Sequence, residues 1–192
     1  RAGRRPGPPR RVVIHPWHDL PPGKHPPDEV TTVVEIPSGS KNKYELDKRS
    51  GLFKLDRVLY SAVHYPGDYG FIPRTLAEDN DPCDVLVFLN EPTFPGCQID
   101  CRPLGVLRML DRGELDYKVL AVPSNDPFYD EYFDIADIPQ HYLKEVEHFF
   151  HIYKDLEGKR VQTVGWEKSD VAMRIIEESL RRYEQKYVVS SG

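Results

Sequence analysis

The stretch Glu78-Asp79-Asn80-Asp81-Pro82-Cys83-Asp84-Val85-Leu86-Val87-Phe88-Leu89 joins two opposite kinds of sequence. Four acids and no base crowd its first seven positions, and an unbroken apolar run follows. The run has the length and β-branched content of a buried strand. Working outward, Leu104-Gly-Val-Leu-Arg-Met-Leu110 and Lys118-Val-Leu-Ala-Val122 read as two more strands, and Thr31-Thr-Val-Val-Glu-Ile-Pro37 as an earlier one that stops at its proline. Lys43 to Arg57 reads as a hairpin with alternating arms and Ser50-Gly51 at its turn. Short strands separated by Gly, Pro and Asn turns predict a small barrel or a strongly curved sheet.

Helices are expected late. From Pro139 to Asp155, Leu143, Val146, Phe149, Phe150 and Tyr153 follow the spacing of one helix face. A second helix is expected from Ser169 as N-cap, with the stripe Val171, Ile175, Ile176, Leu180 and Tyr183. The fold class is mainly β with flanking helices (α+β). The organisation expected is an extended Pro/Arg-rich arm over 1–27, a single domain over 28–187 and a tail over 188–192. Eight of the eighteen prolines and five arginines of the first eleven residues define that arm. It reads either as a solvated tail or as the remnant of an organelle transit sequence.

The chain has 192 residues and a net charge of −5, with mean hydropathy −0.57. No apolar run is long enough for a membrane helix. The acidity disfavours wrapping nucleic acid, which needs a basic face. Three cysteines do not suggest a disulfide scaffold. A soluble intracellular protein is expected, in the cytoplasm or in an organelle matrix (mitochondrion or chloroplast stroma).

The acids need a reason to be together. Two carboxylates about 4 Å apart repel by about 4 kcal/mol at an effective dielectric of 20. Asp79, Asp81 and Asp84 would splay or protonate unless a cation holds them. An EF-hand does not fit: counted from Asp79, position six is Asp84 rather than Gly, and position twelve is Asn90 rather than Glu. A second acidic group, Asp111-Arg-Gly-Glu-Leu-Asp116, lies between the next two strands. Loops at one end of neighbouring strands can converge, and their carboxylates then favour hard cations such as Mg²⁺ or Mn²⁺. Cys97 and Cys101 carry no zinc spacing, and His148 and His151 lack a metalloprotease pattern. Lys43 and Glu45 share a strand face. Arg57, Lys118 and Lys154 close other elements, and Tyr65, Tyr69 and Tyr153 add neutral donors. This mixture suits a compact polyphosphate, and no phosphate-binding Gly-Lys loop is present. A binding module without turnover and a calcium buffer stay open at this point; neither accounts for the acids and the cations together.

These residues resemble the soluble inorganic pyrophosphatases of family I. Asp79-Asn-Asp81-Pro-Cys-Asp84-Val is similar to the family signature Asp-x-Asp-Pro-x-Asp-aliphatic. Val-Glu35-Ile-Pro, Lys43-Tyr-Glu45, Asp56-Arg57, Tyr65-Pro, Asp68-Tyr69-Gly-Phe-Ile, Asp111-x₄-Asp116-x-Lys118 and His148-Phe-Phe-x-x-Tyr153-Lys154 occur in the family's order. His15-Pro-Trp-His-Asp-Leu20 resembles the plant and algal short-type enzymes. The resemblance implies an OB-like five-stranded β-barrel and Mg²⁺-dependent hydrolysis of pyrophosphate to two phosphates, with several ions per site and Mn²⁺ or Zn²⁺ as possible substitutes. It implies Asp79, Asp84, Asp111, Asp116 and Glu45 as metal ligands and Asp81 as general base. Lys43, Arg57, Lys118, Tyr153 and Lys154 would hold phosphate oxygens, Arg57 also stabilising the leaving group. Tyr69 would donate near the water, with Glu35 and Tyr65 in support. Self-association is compatible with the family, and its state is open. Two positions depart from the pattern: Arg112 stands where many relatives carry an acid, and Cys83 where an aliphatic is usual.

Overall fold

The computed structural model describes residues 14–189. Eight strands and two α-helices organise them: β1 (Val30–Ile36), β2 (Asn42–Asp47), β3 (Leu52–Val58), β4 (Asp68–Phe71), β5 (Asp84–Val87), β6 (Gln98–Asp111), β7 (Glu114–Pro123), α1 (Gln140–Ile152), β8 (Val161–Lys168) and α2 (Ser169–Tyr183). The main sheet runs β1-β4-β5-β7-β6-β8, and β6 also pairs with β1. Five strands therefore close into an uneven ring, with β8 added outside it and β2–β3 standing as a separate hairpin. This is the mainly β, OB-like barrel with flanking helices expected from the sequence.

Closure depends on β6. Its first residues pair with β1 and its later ones with β8. Between them the register slips at Pro103–Gly105. Proline cannot donate to a ladder, so a bulge there lets one long strand bend from one partner to the other. A second close approach lies where β1 crosses β4: a Cβ on Gly70 would stand 2.0 Å from the Val33 carbonyl oxygen.

The apolar runs of β5 and β7 are unbroken because both faces are covered. Leu86, Leu120 and Val122 join Leu143, Val146, Phe149 and Phe150 of α1 in one cluster. Val85, Val87, Val119 and Ala121 join Ala172 and Ile176 of α2 in another. Each helix thus seals one side of the strands that carry the acids.

Three local expectations change. Ser169 is not the N-cap of α2; it is the first helical residue. The cap comes from another element, since Asp134 Oδ2 accepts from the Ser169 amide at 3.3 Å and its hydroxyl at 2.9 Å. Strands β4 and β8 were not expected. The extended arm does not hold over its described part: residues 16–19 form a turn, and Trp17 is 2% exposed among Val33, Leu46, Phe71 and Tyr183. Residues 1–13 of the arm and 190–192 of the tail lie outside the described residues. Among the described residues no helix is long and apolar enough to cross a membrane.

Candidate active site

Strand register brings the two acidic groups together. Asp84 opens β5 and stands opposite Lys118 of β7 in a parallel pair. Asp116 lies two residues before Lys118 and so shares its face. Lys118 reaches both carboxylates, Asp84 at 2.6 Å and Asp116 at 2.9 Å. Asp111 ends β6 across a tight hairpin whose tip is Arg112-Gly113, both in the left-handed region (φ 53° and 88°). Lys154, just after α1, contacts Asp111 at 2.6 Å. From the far side the β2–β3 hairpin contributes Lys43, which bonds Glu45 at 3.2 Å and Asp56 at 3.0 Å.

These groups line a cavity of about 540 Å³. Its walls hold Glu35, Lys43, Glu45, Tyr69, Asp79, Asp81, Asp84, Asp111, Asp116, Lys118, Tyr153 and Lys154, twelve of the fourteen residues singled out in the sequence. The other two stand behind the wall. Tyr65 is buried against Tyr69 and Phe149, with ring centroids 5.5 and 4.8 Å away. Arg57 lies opposite Lys43 in the hairpin, with Nε on Glu157 at 2.8 Å and a second nitrogen on Asp56 at 2.5 Å. Asp56 therefore accepts from both Arg57 and Lys43. Lys48, Lys54 and Asp47 also line the cavity and were missed. Asp47 ends β2, Lys48 lies in the hairpin turn and Lys54 stands on β3 opposite Glu45, all places where a charged residue reads as solvated.

The electrostatics are those of like charges crowded out of water. Burial raises the Asp79 carboxyl, and Asp116 adds to the shift. Burial also raises Asp84; Lys118 pulls it back and Asp116 pushes it further. Glu35 is pushed up to about 8, by burial first, although its Oε1 accepts the Leu46 amide at 2.7 Å. Burial alone would depress the Lys118 ammonium, but Asp116 and Asp84 outweigh it and hold it well above the lysine range. Burial keeps Tyr65 and Tyr69 neutral, hence hydrogen-bond donors.

Among the described residues no three of these carboxylates converge on one point as a ready-made metal cage. Ammonium groups sit between them: Lys118 between Asp84 and Asp116, Lys154 on Asp111, Lys48 on Asp81. The donor set still fits a hard divalent ion, being all carboxylate oxygen. Asp111 Oδ1 is buried without a hydrogen-bond partner, and burial together with the Asp116 carboxylate raises Asp79 and Asp84. The two departures fall at the edges. Arg112 is exposed, 3.9 Å from Asp111. Cys83 is a small buried thiol, pushed up to about 12 by burial. His148 and His151 are exposed on α1.

Comparison with known proteins places this architecture. The family model "Inorganic pyrophosphatase" matches residues 32–184. The inorganic pyrophosphatase of Geobacillus stearothermophilus is 53% identical over 157 residues, which cover 82% of this chain and 95% of the relative. Soluble inorganic pyrophosphatase 2 of Chlamydomonas reinhardtii is 48% identical over 179 residues, 93% of either chain. The crystal structure of inorganic pyrophosphatase from Thermus thermophilus superposes with a TM-score of 0.86 at 43% identity, covering 89% of this chain and 99% of that one. The ring, the acidic mouth and these likenesses together make the chain a member of the family I soluble inorganic pyrophosphatases.

Proposed function

We propose that the chain hydrolyses inorganic pyrophosphate to two orthophosphates in the 540 Å³ mouth, with Mg²⁺ as cofactor and Asp81 as general base. The observation that carries this reading is the lining itself: carboxylates and ammonium groups interleave within one cavity. A site for a metal alone needs only the acids, and a site for an anion alone needs only the cations. Both together suit an anion that arrives with its own cations.

Asp79, Asp84, Asp111, Asp116 and Glu45 would hold the metal. When bound, Mg²⁺ neutralises phosphate oxygens and lowers the pKa of water. The chain's own residues do the rest. Lys43, Lys118, Lys154 and the Tyr153 hydroxyl bind and orient pyrophosphate oxygens. Each lysine exchanges a carboxylate partner for phosphate as it does so. Arg57 orders Lys43 through their shared Asp56, and it reaches the leaving phosphate by giving up Asp56 or Glu157. Tyr69, kept neutral by burial, donates beside the water. Asp81 takes a proton from the water as its oxygen bonds one phosphorus. The bridging P–O bond breaks, and its electron pair leaves with the second phosphate.

Phosphate release from pyrophosphate, followed across a Mg²⁺ titration, tests this with wild type and Asp81→Asn. The expected result is Mg²⁺-dependent release that falls at least about a hundredfold in the variant. Equal release by both would keep the activity and reassign the base. A folded wild type silent at every Mg²⁺ concentration would return the mouth to a binding role.

A further inference from the structure

Asp81 sits on an open loop with its side chain half exposed, so packing does little to aim it. Its backbone is pinned: the Ala77 amide donates to its carbonyl at 2.7 Å, and its own amide donates to Asp79 Oδ1 at 3.0 Å. Its carboxylate is held from elsewhere. Lys48 Nζ contacts Asp81 Oδ1 from the turn of the β2–β3 hairpin. An ion pair between two half-exposed side chains is ordinarily weak, because ordering a long lysine opposes it.

This lysine is ordered by something else. Its ammonium lies 5.7 Å over the Trp17 ring. Its carbonyl lies 2.9 Å from His15 Nε2. Trp17 is itself fixed: Nε1 donates to the Thr75 carbonyl at 2.9 Å, and its carbonyl accepts the Arg74 amide at 2.9 Å. The Thr75 hydroxyl accepts the Cys83 amide at 2.9 Å, at the foot of the loop that carries Asp81. One short segment thus supports both ends of the Lys48–Asp81 pair, and it precedes the 32–184 span that the family model matches.

We infer that Lys48 is a positioning residue for Asp81, held in place by His15 and Trp17 of the N-terminal segment. The inference rests on reading Asp81 as the base. A base must meet the attacking water within hydrogen-bond distance, and a displacement near 1 Å costs up to about a hundredfold in rate. Without the ammonium, a half-exposed carboxylate turns freely to solvent. Lys48 also lines the cavity, so direct contact with substrate is the competing role.

The test is a cycle of K48M, D81N and the double variant in steady-state pyrophosphate hydrolysis at saturating Mg²⁺, with K48R and H15A beside it. K48M is expected to lower kcat about tenfold or more with KM within about twofold, and K48R to recover most of it. In the D81N background, losing Lys48 should cost less than about twofold, because there is no base left to aim. H15A should lower kcat about threefold, and not further once Lys48 is gone. Independently of turnover, the NMR signal of ¹³C-labelled Lys48 Cε should shift in D81N. A K48M variant that raises KM at constant kcat, or whose loss persists in full in D81N, overturns positioning in favour of substrate contact. An unmoved Lys48 signal in D81N overturns the pairing itself. An inactive wild type overturns the pyrophosphatase reading and this inference together, whereas an active wild type with an indifferent K48M overturns the inference alone.

Discussion

Asp68 and Glu35 are carboxylates on neighbouring strands of the ring, and they are treated in opposite ways. Asp68 is 0% exposed and surrounded by donors. Oδ1 accepts the Ser38 amide at 2.7 Å, and Oδ2 accepts the Thr93 amide at 2.9 Å and its hydroxyl at 2.5 Å. Fixed donors meet both its oxygens, so it ties two loops to β4 and stays out of the cavity. Glu35 has one amide, from Leu46, and faces Asp84 and Glu45 across the mouth. The difference separates an acid satisfied within the fold from one that the proposed reaction assigns to the mouth. A charge met by backbone N–H groups has no use for a cation, whereas carboxylates met by movable lysines or by one another can trade partners when a metal and an anion arrive.

The sharpest way to break this contrast is to neutralise one acid of each kind. Asp79→Asn keeps the Oδ1 that accepts the Asp81 amide and removes only charge. Turnover should fall about a thousandfold, near 4 kcal/mol on the barrier. Metal-free stability by urea unfolding should hold or rise, because a desolvated charge has gone. Retained turnover would remove Asp79 from the working set. Asp68→Ala should do the reverse. It strands the Ser38 and Thr93 amides, so unfolding free energy should drop by about 3 kcal/mol, with kcat per folded molecule within about threefold of wild type. Lost activity at intact stability would move Asp68 into the mouth.

The sequence made some of this legible and hid the rest for physical reasons. The strands around Asp84 and Lys118 showed because both faces are buried and the apolar run is continuous. The hairpin showed because its arms alternate about Gly51, at φ 71°. Strand β4 is four residues with a glycine inside, and β8 mixes Gly165 with charged residues; neither has a period long enough to read. Ring closure was hidden because it depends on one strand bending at Pro103, a residue that argues against a strand. The five-stranded count and the separate roles of the acids came from family resemblance; the residues alone reached only a hard-metal mouth for a small polyanion. Lys48 left no signal, since its importance comes from Trp17, thirty-one positions away, and not from its neighbours in sequence.

Glu35 gives the finest test, because burial acts there on a carboxyl that has a single amide donor. Its carboxyl is pushed from about 4.5 to about 8 in the folded chain, chiefly by burial. Between those values the folded protein carries a proton that the unfolded chain has lost. Stability must then fall as pH rises through that window, and Glu35 contributes no slope below or above it. Glu35→Gln keeps an acceptor for the Leu46 amide and deletes the titration. With metal removed by chelator, wild type should lose roughly 3 kcal/mol more than the variant between pH 5 and pH 8, read by urea unfolding at each pH. Parallel pH profiles would mean that Glu35 is already ionised at pH 5, and its shortage of donors would no longer mark it out from the other buried acids.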